Sequence, residues 1–76
     1  MNEILKEQRR KAVSDLIREG RKMKSMTQAD LAYAVGFSKS TITRVENNSF
    51  SPNSDQLYLI LDVLDMTLTI NNIKII

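Results

Sequence analysis

Apolar residues recur in the first third of the chain at Val13, Leu16, Ile17 and Met23, with Gly20 in the same register. This three-and-four spacing places them along one face of a helix. No proline interrupts residues 3 to 24, so the pattern predicts one long helix or two consecutive ones. Gly20 lies inside that stretch at a cost of about 1 kcal/mol relative to alanine. Such a glycine marks either a close helix contact or a local weak point.

Three shorter helices follow, each announced by its own cap. Thr27-Gln28-Ala29-Asp30 has the spacing of a capping box, in which hydroxyl and carboxylate each satisfy an orphan backbone N–H. Met26 and Leu31 flank it as a hydrophobic staple, Leu31, Ala32 and Val35 form the inward stripe, and Gly36 stops the helix. Ser38 repeats the logic as an N-cap, with Phe37 and Ile42 as its staple pair. In this third helix Ile42 and Val45 face inward, which leaves Lys39, Ser40, Thr43, Arg44 and Asn47 outside on a polar face without an acid. After the loop Asn47 to Pro52, Asn53 caps a fourth helix with Gln56 completing a box, and Leu57, Ile60, Leu61 and Leu64 form its apolar side.

The last residues, DMTLTINNIKII, change period. Met66, Leu68 and Ile70 alternate with Thr67 and Thr69, as in a strand with one apolar face. A lone strand leaves its backbone groups unpaired, and no other segment reads as a strand to pair with it. Three readings are open: a frayed tail, a hairpin turning at Asn71-Asn72, and pairing with the same strand of a second copy. The last is the most economical, since it also covers the apolar face and fixes the orientation of two subunits.

Composition removes several classes of function. The chain has 76 residues and neither cysteine nor histidine, which takes away thiol and imidazole chemistry and nearly every zinc site. No cofactor is expected. The best acidic pair, Asp62 with Asp65, has no base, metal partner or phosphate loop nearby, so an enzyme is not expected either. No segment reaches the roughly 18 apolar residues of a membrane span, and the start has no apolar run after a basic stretch; a cytoplasmic, nucleoid-associated protein is expected. The net charge is only +2, but Lys6, Arg9, Arg10, Lys11, Arg18, Arg21, Lys22 and Lys24 crowd the first third, against Asp55, Asp62, Asp65 and Lys74 in the last. That asymmetry suits a polyanion, or simply a solvated charged helix.

Two capped helices joined by a short glycine-containing turn, the second presenting a polar face with Lys39 and Arg44, form a helix-turn-helix pattern. Such a helix fits the major groove, its first turn reaches base edges, and Lys or Arg reads guanine or neutralises phosphate. A scaffold reused for protein contact alone is the competing reading, against which the unopposed cations argue.

The stretch MTQADLAYAVGFSKSTITRVENN resembles the helix-turn-helix of the Cro and lambda-repressor superfamily, the XRE family, and the similarity covers roughly residues 13 to 65. The resemblance implies an all-α fold, a compact four- to five-helix lambda-repressor-like domain over 13–65; outside it a helical extension is expected over 1–12 and a dimerisation strand and tail over 66–76. It implies that Gln28 and Asn47 bind phosphates, that Ser38 supports them, and that Lys39, Ser40 and Arg44 read bases with Thr43 on the same face. Arg21 and Glu46 occupy positions that in the family often form a structural ion pair. Ser25 departs from the family's usual glycine, and Gly20 replaces a larger apolar residue.

A helix-turn-helix core whose last helix runs through LDVLDMTLTI into a short Thr-containing strand is similar to HipB-like antitoxins. That similarity implies a homodimer paired through Met66, Thr67, Leu68, Thr69 and Ile70, which represses its own operon at a palindromic operator on double-stranded DNA. It also implies a HipA-type kinase toxin as partner. A stand-alone or phage-type XRE repressor without a toxin is the alternative.

Overall fold

Each helix begins where a side chain replaces the missing backbone partner. In a computed structural model describing residues 2–76, Asn2 opens α1 (Glu3–Met23) by accepting the Leu5 N–H at 2.8 Å. Thr27 and Asp30 form the capping box of α2 (Gln28–Val35), with bonds of 2.9 and 3.0 Å. Ser38 accepts the Thr41 N–H at 3.1 Å to start α3 (Lys39–Glu46). Asn53 and Gln56 box the start of α4 (Ser54–Val63), both bonds at 2.9 Å. The Thr27 N–H also holds the Asp30 carboxyl below its ordinary pKa.

The helix ends are equally local. After each, one residue turns left-handed while the next N–H reaches back to a carbonyl of the last turn: Met26 to Arg21, Phe37 to Ala32, Ser49 to Arg44 and Met66 to Leu61, at 2.9–3.1 Å. Gly36 makes this turn at φ 79° without a side-chain penalty, but Ser25, Asn48 and Asp65 make it at 54°, 64° and 54°. Ser25, in the place the family gives to glycine, therefore adopts glycine's conformation. Ser25→Gly is expected to gain about 0.5–1 kcal/mol and to raise the thermal midpoint by roughly 2–8 °C. An unchanged or lower midpoint in a calorimetric scan would contradict this account of the turn.

Ile17, Leu31, Ala32, Ile42, Val45, Ile60 and Leu64 form the buried core, with Met26, Val35, Phe37, Phe50, Leu57, Val63 and Met66 packed around it. The core meets α1 along Ser14, Ile17 and Arg21, not along the apolar stripe that periodicity picks out. Of that stripe only Ile17 is buried; Val13, Leu16 and Met23 are 39, 54 and 87 % exposed. Gly20 marks a close contact: a Cβ there would sit 2.6 Å from the Met66 sulfur. Met66 thus lies over the end of α1. The helix runs unbroken from Glu3 to Met23, so residues 3–12 and 13–23 share one element. Four helices form among the described residues, not five.

Of the fates open to the tail, the chain adopts the hairpin. Thr69–Ile70 (β1) pairs antiparallel with Ile73–Lys74 (β2) of the same chain, Thr69 opposite Lys74 and Ile70 opposite Ile73. Asn71 and Asn72 turn the chain at φ 51° and 66°, positive at both positions as a two-residue hairpin turn requires. The Ile75 N–H extends the ladder to the Leu68 carbonyl at 2.8 Å. β1 is therefore supplied with a partner within its own chain. Leu68, half-buried, borders a groove that Val13, Leu16, Leu57 and Leu61 also line.

Candidate nucleic-acid interface

The recognition surface is built on a buried charge. Glu46, 2 % exposed at the end of α3, accepts the Arg21 Nε at 2.7 Å and the second Arg21 terminal nitrogen at 2.9 Å, a two-pronged pair from α1 to α3. The remaining Arg21 nitrogen donates to the Met26 carbonyl at 2.8 Å, which ties down the turn before α2. Arg18 donates to the Glu46 backbone carbonyl at 2.5 Å, adding a cation to the C-terminal end of α3. Hydrogen bonding to Glu46 raises the Arg21 pKa further above its already high ordinary value.

Gln28, on the first turn of α2, extends this network. Its amide nitrogen donates to Glu46 Oε1 at 3.3 Å, and its amide oxygen accepts the Thr43 hydroxyl at 2.8 Å. Both Gln28 and Thr43 are half-buried. Thr43 therefore joins α3 to α2 and has its hydroxyl proton committed there. Gln28 retains one amide N–H beyond the bond to Glu46, pointing the phosphate expectation at that donor.

Lys39, Ser40, Arg44 and Asn47 lie exposed together on α3 and its C-terminal cap. Asn47 Oδ1 accepts the Ser49 backbone N–H at 3.0 Å, so its NH₂ group is what a phosphate could use. Ser38 is occupied locally: it caps α3, and its hydroxyl lies 2.9 Å from that of Thr41. Sequence reasoning missed Arg18 and the second role of Phe50. Arg44 lies over the Phe50 ring, its guanidinium carbon 5.6 Å from the centroid. Neither contact has a signal in spacing, because Arg18 and Glu46 are remote in sequence and Phe50 reaches Arg44 across a loop.

The basic first third is largely engaged within the chain. Lys11 pairs with Asp15 at 2.7 Å, Lys6 approaches Glu3 at 3.9 Å, and Lys24 pairs with Asp65. The Lys11 bond lowers the Asp15 pKa. The asymmetry of charge along the sequence is thus only partly an external field.

No curated protein matches the chain. The helix-turn-helix family model matches residues 17–71, more than two thirds of the sequence, from the middle of α1 through α4 and β1. A short capped α2, a glycine turn and an α3 with an open polar face are what that family presents to a duplex, and the chain belongs to the XRE-type helix-turn-helix family of DNA-binding regulators.

Proposed function

We propose that the protein is a non-enzymatic, cytoplasmic transcriptional repressor that binds a palindromic operator as a homodimer. We further assign it the antitoxin role in a type II toxin–antitoxin pair, repressing its own operon and restraining a HipA-type kinase toxin. No described helix is long and apolar enough to cross a membrane. Gln28 and Asn47 bind phosphates, while Lys39, Ser40 and Arg44 read base edges.

The observation that carries the dimer is the hairpin. Leu68, Ile70, Ile73 and Ile75 fall on one face of it, and Ile70 and Ile73 are 59 and 67 % exposed. Because Leu68 bonds toward β2, the alternation of an antiparallel ladder turns the backbone groups of Thr67 and Thr69 to the outer edge. An uncovered apolar face beside an unpaired edge is the kind of strand that acquires a partner. In an isologous dimer two copies of β1 pair at that edge, making a four-stranded sheet from two hairpins. Such a joint holds two α3 helices for successive major grooves about 34 Å apart.

The stand-alone repressor shares this DNA face and needs no toxin. It is favoured by the closure of β1 within its own chain, which leaves less of the strand waiting for another protein. Capture of a HipA-type kinase from the native host, with loss of its activity when this protein is added, supports the antitoxin role; a kinase that neither binds nor is inhibited removes it.

DNA recognition has its own test. Affinity for operator duplex is expected to fall steeply with salt, with a log–log slope of about −0.9 per phosphate neutralised. A flat response would sink the repressor reading and leave a protein-interaction module.

A further inference from the structure

The C-terminal end of α3 folds back on one residue. The N–H groups of Ser49 and Phe50 both donate to the Arg44 carbonyl, at 2.9 and 3.1 Å, and Asn48 makes the intervening left-handed turn. Two donors on a single carbonyl fix where Phe50 lies relative to Arg44. The Phe50 ring packs against the core and also meets the Arg44 guanidinium at 5.6 Å. Arg44 is exposed, so without this contact its long side chain would sample many rotamers in water.

We infer that Phe50 is a positioning residue for sequence reading: its ring holds the Arg44 guanidinium ready for a base edge, so discrimination at that base pair depends on a residue outside α3. The inference rests on the proposed operator reading. The aromatic face attracts the guanidinium without accepting all five of its N–H groups, so donors directed away from the ring remain for guanine O6 and N7. Ordering the side chain before binding reduces the entropy lost on contact and sharpens the difference between right and wrong bases. Lys39 and Ser40, on the first turn of α3, lie outside this contact.

The test uses the full chain and a duplex that the wild-type protein selects from a random-sequence pool. Affinities for all single-base variants of that duplex are compared for wild type, Arg44→Ala, Phe50→Leu, Phe50→Tyr and the Arg44→Ala/Phe50→Leu double variant. Phe50→Leu is expected to lower discrimination by about 2- to 5-fold, at the base pairs that Arg44→Ala affects and not at others. Phe50→Tyr retains discrimination, and the double variant is no worse at those pairs than Arg44→Ala alone. A ratio of affinities within one variant does not depend on the fraction folded, so lost packing alone does not imitate this result. Loss of affinity that is uniform over all positions overturns the inference, as does Phe50→Leu discriminating like wild type. In the free protein, proton NMR should show Arg44 side-chain signals displaced by the ring and restored in Phe50→Leu; absence of that displacement refutes the contact without any DNA. A wild type that shows the displacement but selects no sequence brings down the operator reading itself, and this inference with it.

Discussion

Glu46→Ala is expected to lose about 3–5 kcal/mol of folding stability. A chain of this size has roughly 4–11 kcal/mol in total, at about 0.05–0.15 kcal/mol per residue. The loss is therefore between about a quarter and all of that stability. Glu46 is 2 % exposed and bonds both prongs of Arg21; its removal leaves Arg21, itself 9 % exposed, as an uncompensated buried charge. Gln28 loses an acceptor at the same time. The measurement is a urea titration followed by circular dichroism, and a midpoint close to wild type would show that the pair is not structural. An Arg21→Met/Glu46→Leu double variant should recover most of the stability, because an apolar pair of similar volume avoids the cost of burying charge. Its DNA affinity should still be lower than wild type, since Gln28 then lacks one of the two partners that orient it.

Thr69→Pro is expected to leave the chain a monomer, where the proposed strand-paired dimer would otherwise form, without dissolving the hairpin. Proline removes one N–H, and at Thr69 that group points to the outer edge of β1, away from Lys74 and β2. Loss of the second half-site should weaken operator binding by about 10²- to 10⁴-fold, with contacts to a single half-site unchanged. Sedimentation at micromolar concentration reads the mass, and binding to whole and half operators separates avidity from local damage. Deleting residues 67–76 should give the same monomer. If the sedimentation mass is the same after both changes, the strand-mediated dimer is wrong.

The short helices were legible because their signals are local. Thr27 with Asp30, Ser38 with Thr41, and Asn53 with Gln56 are three residues apart, so each cap depends on a single turn of chain. The exposed base-reading candidates Lys39, Ser40 and Arg44 follow from Ile42 and Val45 pointing inward on the same helix. Periodicity misled on α1, where the core-facing line contains Ser14 and Arg21. A hydrophobicity pattern gives no weight to an arginine whose burial is compensated by a carboxylate on another helix. It likewise could not show the bond from Thr43 to Gln28, which belongs to α2.

By itself the sequence determined the three short capped helices and the polar face of α3, since helix caps and helix faces are set by residues within a turn or two of each other. Tertiary structure decided the rest. The hairpin was one of several possible fates for the tail, because an isolated two-stranded ribbon is marginal and local alternation cannot show what supports it. Leu68 borders a groove shared with Val13, Leu57 and Leu61, residues brought together only by the folding of α1 and α4. The geometry of the Arg21–Glu46 clamp, the engagement of Gln28 by Thr43 and the placement of Arg44 on Phe50 were decided in the same way. Each joins groups from separate elements, whose distance in space is fixed only once the core has closed.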